Sequence, residues 1–309
     1  LSQDFFKQRN SPILLGLLGQ SLGHSLSPLI HQSFFDELGL AGRYEKIEVP
    51  EASLVPERLL ALAAEGYSGL NVTIPYKLTV MSSLTELDEG ADLAGAVNTI
   101  KIDFGSLTGY NTDVGGLAEA LALLEFAGAS SLTPSQTPLK AIILGAGGAA
   151  RAAVIAASRL GFRQLVILSR QEDAGRTMLN KLAEGSDKVS LVSSCQKAIC
   201  ATFCDAPGQA KITDQVHLII NATPIGQKDD HVPPEIIALM RQVSAGYNNA
   251  VFVDLVYARQ MTPLCRVATE EGFARVEDGK EMLINQARLA FKIWTGHLPG
   301  GQLARERLN

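Results

Sequence analysis

Residues 141–170, AIILGAGGAARAAVIAASRLGFRQLVILSR, decide the fold. An apolar run stops at Gly145, an alanine-rich stretch begins near Gly148, and a second apolar run closes on Ser169-Arg170. Strand, glycine turn, helix and strand in that order form the unit that holds a dinucleotide. The first glycine permits the tight turn, Gly147 lets the backbone approach a pyrophosphate, and the helix points its positive end at that charge. Ala150 stands at the third glycine position, where close packing of helix on strand is the only demand and Ala satisfies it. A bare glycine spacing is weak evidence, but here strand and helix flank it and the second strand ends about 25 residues beyond the first glycine.

The rest of the chain sets the frame around this unit. A length of 309 residues with 46% hydrophobic content predicts about two domains. The net charge of −5 and a pI near 5.6 give no basic field, which argues against nucleic acid as a partner. No apolar run approaches the ~20 residues of a membrane span, and LSQDFFKQRN at the start lacks the order of a secretory signal, so a cytoplasmic protein is expected. An opening Leu is consistent with a chain that is processed, trimmed, or one module of a longer polypeptide. Cys195, Cys200, Cys204 and Cys265 show no CxxC spacing and the five histidines are dispersed, so reduced thiols and no metal are expected.

Before residue 141, strand-like and helical runs alternate: ILLGLLG, PLIHQSFFDELG, GRYEKIEVP, ASLVPERLLALAAEG and GLNVTIP. Ser27 and Pro28 read as N-cap and first residue of a helix that Gly39 closes, and Pro75 reads as the start of a helix carrying Tyr76 and Lys77. SLTGY reads as a strand, and Asp113 reads as the N-cap of VGGLAEALALLEF. AGASSLTPSQTP reads as a surface loop, SSCQKAICATFCDAPGQAK as a variable connection, and DGKEMLINQARLAFKIWTG as one amphipathic helix. VHLIINATP and AVFVDLVY are buried-strand runs suited to a parallel sheet.

Four clusters carry candidate chemistry. Ser25 and Ser27 share one face of an extended segment and could hold a ligand carboxylate, although a helix cap explains Ser27 as well. Asn71 and Thr73 alternate along a strand before Lys77, a lysine placed where a helix N-terminus disfavours positive charge and so suits proton exchange; a solvated surface lysine is the competing reading. Asn98 and Asp113 end apolar segments, where Asp113 is either a cap or a proton-exchanging carboxylate. Gln286 and Tyr257 are, taken singly, readable as structural.

Together these clusters resemble the shikimate dehydrogenase family, including its quinate/shikimate relatives. The similarity rests on GHSLSPLIH (23–31), GLNVTIPYK (69–77), AVNTI (96–100), GYNTDVGG (109–116), GAGGAARA (145–152), NATPIG (221–226), DLVY (254–257) and the run 278–296. It implies an α/β fold of two domains. An N-terminal α/β substrate domain (1–113 and 278–309) receives the returning C-terminal helix, and a Rossmann-like doubly wound nucleotide domain spans 114–277. It implies reversible reduction of 3-dehydroshikimate to shikimate with a nicotinamide cofactor, the domains closing during the reaction. Ser25 and Ser27 would bind the substrate carboxylate, and Asn71, Thr73, Asn98 and Gln286 the ring hydroxyls. Lys77 and Asp113 would form the catalytic pair and share the travelling proton, while Tyr257 would line the pocket near the nicotinamide. Gly145, Ala146, Gly147, Gly148, Ala149, Ser169, Arg170, Thr223 and Gly279 would contact the cofactor.

Arg170 at the second strand's tip suits the 2′-phosphate of NADP, whereas Glu172 and Asp173 beside it oppose that charge, so NADP is favoured and NAD stays open. The chain departs from the family in two further places, Ala258-Arg259-Gln260 after Tyr257 and Gln227 after NATPIG. A quinate/shikimate dehydrogenase using NAD(H), a folate-type dehydrogenase, and a non-catalytic nucleotide-binding regulator are the alternatives. The intact Lys77 and Asp113 weigh against the regulator. A single Trp and a hydroxyl-rich cleft weigh against a pterin substrate. The implied partner is a small molecule, on a monomer or homodimer, with no nucleic acid or membrane.

Overall fold

Runs of buried apolar residues become the central strands of two sheets. The structure, a computed structural model, describes residues 12–124, 126, 138–183, 197–202, 206, 209–258 and 260–308. The chain falls into two compact units, Leu1–Gly116 with Leu283–Asn309, and Leu117–Met282.

The first unit is built on a six-stranded sheet of β1 (Ile13–Gly19), β2 (Gly42–Glu48), β3 (Gly69–Val72), β4 (Glu86–Leu87), β5 (Thr99–Asp103) and β6 (Ser106–Tyr110). Its order is β2-β1-β3-β5-β6-β4, parallel from β2 through β3 and antiparallel across β3, β5 and β6. The helices are α1 (Ser27–Leu38), α2 (Val55–Ala64), α3 (Glu89–Ala94) and the start of α4 (Thr112–Ala122). One apolar cluster joins Phe34 and Phe35 of α1 to Ile284, Phe291 and Trp294 of the C-terminal helix. Trp294 also donates from Nε1 to the Ile100 carbonyl at 2.9 Å, which ties that helix to β5.

The second unit carries β7 (Lys140–Leu144), β8 (Gln164–Ser169), β9 (Lys197–Thr202), β10 (Leu218–Asn221), β11 (Val251–Asp254) and β12 (Arg275–Glu277). All pair in parallel in the order β12-β11-β10-β7-β8-β9. This is the doubly wound arrangement, in which the strand order reverses between β7 and β10 and a crevice opens at the strands' carboxyl ends. Its helices are α5 (Gly148–Arg159), α6 (Glu172–Ala183), α7 (Ala210–Thr213), α8 (Pro234–Gly246) and α9 (Pro263–Glu270). The alanines of α5 are buried from Ala150 through Ala157, so the helix lies close on the sheet, as Ala at the third glycine position requires. Helix α10 (Lys280–Thr295) and helix α11 (Gln302–Leu308) complete the chain.

Local structure departs from the sequence expectations in four places. Residues 74–78 form turns leading into a 3₁₀ segment, Thr79–Ser83, so no α-helix begins at Pro75. Proline's fixed φ serves a turn as well as a first helical turn, which is why the two read alike. Ser27 is the first helical residue of α1 rather than its cap, because Leu26 already has helical angles and occupies the cap position without a side-chain bond. Asp113 lies inside the first turn of α4, and Asn111 caps instead, its Oδ1 accepting from Val114 N at 3.3 Å. The segment read as a variable connection contains β9, an edge strand whose mixed small residues give no alternating signal but whose backbone pairs with β8 over its full length. The loop expected at 127–137, Cys195, Cys204 and Arg259 lie outside the described residues.

Candidate active site

The polar residues of the first unit converge on one carboxylate. Lys77 is held by its turn, whose carbonyl accepts from Val97 N at 2.9 Å and whose buried Tyr76 donates its hydroxyl to the Val49 carbonyl at 2.6 Å. From there Lys77 Nζ donates to Asp113 Oδ2 at 2.5 Å. The other oxygen, Oδ1, accepts from Asn98 Nδ2 at 2.8 Å. The Asp113 side chain is 9% exposed and that of Lys77 21%, so the pair is desolvated on the protein side and reaches solvent through the amine. A charge-assisted bond in such a setting is strong and fixes geometry.

Asn98 is itself fixed. Its Oδ1 accepts from Thr112 N at 2.7 Å and from Thr99 Oγ1 at 3.0 Å, and its Nδ2 lies 3.3 Å from Gln286 Oε1. Gln286 comes this close because Gly116 faces it: a Cβ on Gly116 would fall 2.5 Å from Gln286 N. Behind Asn98, the buried Asn71 donates from Nδ2 to the Asn98 carbonyl (3.2 Å) and to Thr99 Oγ1 (3.1 Å). Asn71 Oδ1 accepts from Tyr44 OH (2.8 Å) and His31 Nε2 (3.1 Å). Burial pushes the His31 imidazole down to about 3, against a smaller upward pull from its bond to Asn71. It stacks on Tyr44 with ring centroids 4.1 Å apart, and Nδ1 is buried without a partner.

Of the sequence-derived candidates, Lys77, Asn71, Asn98, Asp113 and Gln286 share this hydrogen-bonded cluster. Ser25 and Ser27 bond to each other, Oγ to Oγ at 3.2 Å, and the Ser27 amide adds a 3.3 Å bond to Ser25 Oγ, so the two hydroxyls face one direction. Thr73 is half-buried just past β3, its methyl against Gly19. Tyr44, His31, Thr99 and Thr112 were missed. The only signal was polar residues interrupting apolar stretches, which does not reveal what they meet.

In the second unit, the turn after β7 has the features of a phosphate cradle. Gly145 takes φ +113°, and a Cβ there would meet the Ala222 carbonyl oxygen at 2.9 Å. A Cβ on Gly147 would meet nothing within 4 Å, and Gly147 caps α5 with no side-chain bond, leaving the first amides of the helix directed at open space. Ala146, Gly148 and Ala149 are half-buried around it. These residues fit a dinucleotide pyrophosphate. At the tip of β8, Ser169 Oγ donates to the Gln171 carbonyl at 2.5 Å and is spent on the turn, while Arg170 is exposed. Glu172 bonds to Arg176 one turn along α6, so its charge is partly matched.

Thr223, half-buried, donates to Asn221 Oδ1 at 2.6 Å, and Gly279 is buried against the Leu255 carbonyl. Tyr257 is half-buried after β11, and Gln227 is exposed. Sequence reasoning also missed Asp254. Its fully buried carboxylate accepts from Thr262 Oγ1 (2.6 Å), Asn221 Nδ2 (2.7 Å) and Val256 N (3.0 Å). Burial raises it to about 6, against the pull of those three donors. Among the described residues no group of three or more His, Cys, Asp or Glu could hold a metal ion, and no helix is long and apolar enough to cross a membrane.

The comparisons with known proteins agree with one another. The family described as shikimate dehydrogenase substrate binding domain matches residues 17–100, and that described as shikimate 5'-dehydrogenase C-terminal domain matches residues 279–306. The shikimate dehydrogenase (NADP(+)) of Methanopyrus kandleri is 35% identical over 95% of this chain and 93% of its own. Shikimate 5-dehydrogenase from Listeria monocytogenes, solved with shikimate and NAD, superposes with a TM-score of 0.79 at 29% identity, covering 96% of each chain. The Thermus thermophilus enzyme, solved with NADP(H) and shikimate, gives 0.76 at 29% identity over 96% of this chain and 98% of its own.

Proposed function

Because the chain belongs to the shikimate dehydrogenase family, we propose that Lys77 and Asp113 are the catalytic pair of its reaction. The protein is an oxidoreductase acting on a CH–OH group, an NADP-dependent shikimate dehydrogenase that interconverts shikimate and 3-dehydroshikimate. The observation that carries the assignment of the pair is the 2.5 Å bond from Lys77 to an Asp113 carboxylate whose other oxygen is held by Asn98.

The nicotinamide, when bound, supplies or accepts the hydride at the ring carbon. The residues of this chain manage the oxygen on that carbon and the proton that accompanies it. Lys77 Nζ has three donor positions and spends one on Asp113, so others remain to meet the reacting oxygen. In the reducing direction the amine gives the oxygen its proton, and in the oxidising direction it takes the proton back. Asp113 aims the amine. Asn98 and Gln286 present amide groups, and Thr73 a hydroxyl, to the ring hydroxyls. Asn71 stands behind them, its amide bonded to the Asn98 carbonyl and to Thr99. Ser25 and Ser27, two hydroxyls held side by side, receive the carboxylate. Residues Gly145–Ala149 take the pyrophosphate on backbone amides. Ser169 shapes the turn that presents Arg170 to the 2′-phosphate, and Thr223, Tyr257 and Gly279 frame the nicotinamide end.

In this reading residues 1–113 with 278–309 form the substrate domain and 114–277 the nucleotide domain. The enzyme works in the cytoplasm as a monomer or homodimer without nucleic-acid partners. Steady-state kinetics crossing shikimate and quinate with NADP⁺ and NAD⁺ tests the specificity. Shikimate with NADP⁺ is expected to give the highest kcat/KM. Lys77→Ala is expected to lower kcat by roughly 10²–10⁴-fold, the usual worth of a positioned proton donor. A variant that retains wild-type kcat would remove Lys77 from the chemistry.

A further inference from the structure

We infer that Tyr44, Asn71, Thr99 and Asn98 form a one-way line of hydrogen bonds that ends on Asp113, and that Tyr44 and Thr99 are positioning residues for the catalytic pair. This rests on the assignment of Lys77 and Asp113 made above.

The direction of each bond is dictated by groups that can only donate or only accept. Thr112 N can only donate, so the atom of Asn98 that faces it at 2.7 Å is the oxygen, and the amide nitrogen faces Asp113. The Asn98 carbonyl can only accept, so Asn71 turns its nitrogen toward it and toward Thr99. Asn71 Oδ1 therefore receives Tyr44 OH and His31 Nε2, and His31 carries its proton on Nε2. Its partnerless Nδ1 in an apolar surround is the counterpart of that choice. Thr99 accepts from Asn71 and passes its own proton to Asn98 Oδ1 at 3.0 Å.

Proton donation thus runs Tyr44 to Asn71 to Thr99 to Asn98 to Asp113, and no member faces backwards. Aligned bonds in a low-dielectric interior polarise one another, so each upstream donor strengthens the last N–H on the carboxylate. Asn71 has both lone pairs and both N–H groups engaged by the protein. It acts here through Thr99 and Asn98. Breaking the line leaves Asp113 less firmly aimed and Lys77 with it, an effect on turnover rather than on substrate affinity.

The test is a double-mutant cycle on Tyr44→Phe and Thr99→Val, each of which deletes one hydroxyl with little change in shape. Thr99→Val is expected to lower kcat about tenfold and Tyr44→Phe about threefold, with KM for shikimate within about twofold of wild type. The double variant is expected to match Thr99→Val, because a line already cut at Thr99 carries nothing from Tyr44. Thr99→Ser, which keeps the hydroxyl, is expected to turn over like the wild type.

Losses that multiply to about thirtyfold in the double variant, or that fall on KM alone, would overturn the line. Should Thr99→Val fail to fold, Tyr44→Phe decides alone, and a wild-type kcat there overturns it. Lys77→Ala, run in parallel, keeps the two claims apart. If it is inactive while the hydroxyl variants are silent, the line falls and the catalytic pair stands.

Discussion

In the proposed function the two units recognise their ligands by opposite means. In the first, side chains make the site: Lys77, Asp113, Asn98 and Gln286 are already bonded to one another, and a further shell of Asn71, Thr99, Tyr44 and His31 stands behind them. In the second, the backbone makes the site, with the glycine turn and the bare start of α5 facing open space, and a dense polar cluster around Asp254 is buried as scaffold. A polyol acid with a fixed pattern of hydroxyls is read by fixed side-chain donors, whereas a pyrophosphate is read by a row of amides. Each unit also hides a titratable group outside the proposed chemistry, His31 in the first and Asp254 in the second, and these two respond to acid in opposite directions.

The larger response belongs to His31. Burial holds its folded-state value at about 3 against an ordinary 6.5. Between those values the unfolded chain binds a proton that the folded unit refuses, so stability is present above pH 6.5 and is lost as pH falls toward 3. The loss approaches about 5 kcal/mol across the window. Trp294, the single tryptophan, sits in this unit beside His31 with ring centroids 5.4 Å apart, so its fluorescence in urea titrations reports this unit. His31→Gln keeps an amide donor for Asn71 and does not titrate, and it is expected to flatten the acid slope. An unchanged slope would place the acid sensitivity elsewhere.

Asp254 works the other way. Its folded-state value is raised to about 6 from 3.8, so between those limits the folded unit holds the extra proton. Its contribution is fully present below pH 3.8 and is lost as pH rises through 6, by about 3 kcal/mol. In the window from about 4 to 6 Asp254 therefore favours the folded second unit on acidification while His31 disfavours the folded first, and His217 of the second unit, its imidazole also lowered by burial, opposes Asp254. Asp254→Asn removes that gain, and hydrogen exchange in β10 and β11, corrected for the intrinsic pH dependence, measures it. If both units weaken together on acidification in the wild type, the contrast between them is broken.

The same difference explains what could be read from sequence. Amide recognition requires glycine at fixed spacing, so Gly145, Gly147 and the strands around them were plain in one local stretch. The side-chain site was legible only as residue types at the ends of apolar runs. Asn98 and Asp113 stood out in this way, and Lys77 stood out for a wrong local reason, since no helix starts at Pro75. Tyr44, Thr99 and His31 were not legible, because their roles depend on Asn71, which is 27 residues from Tyr44, 28 from Thr99 and 40 from His31. Strand β9 was missed because an edge strand needs only a backbone ladder, and KAICAT shows no alternation.

The smallest expected effect probes the exception to backbone reading in the second unit, Arg170. Its exposed guanidinium follows β8 directly, and a planar fork of donors suits a phosphate monoester better than a ribose hydroxyl. Nearby Glu172 is bonded to Arg176 in the same helix, whereas Asp173 has no such ion pair among the described residues. Arg170→Ala is expected to raise KM for NADP⁺ about tenfold, near 1.4 kcal/mol, and to leave KM for NAD⁺ within about twofold. Initial rates at saturating shikimate measure both. Equal losses with the two cofactors would mean that Arg170 serves the turn rather than the phosphate, and that the second unit reads its ligand through backbone alone.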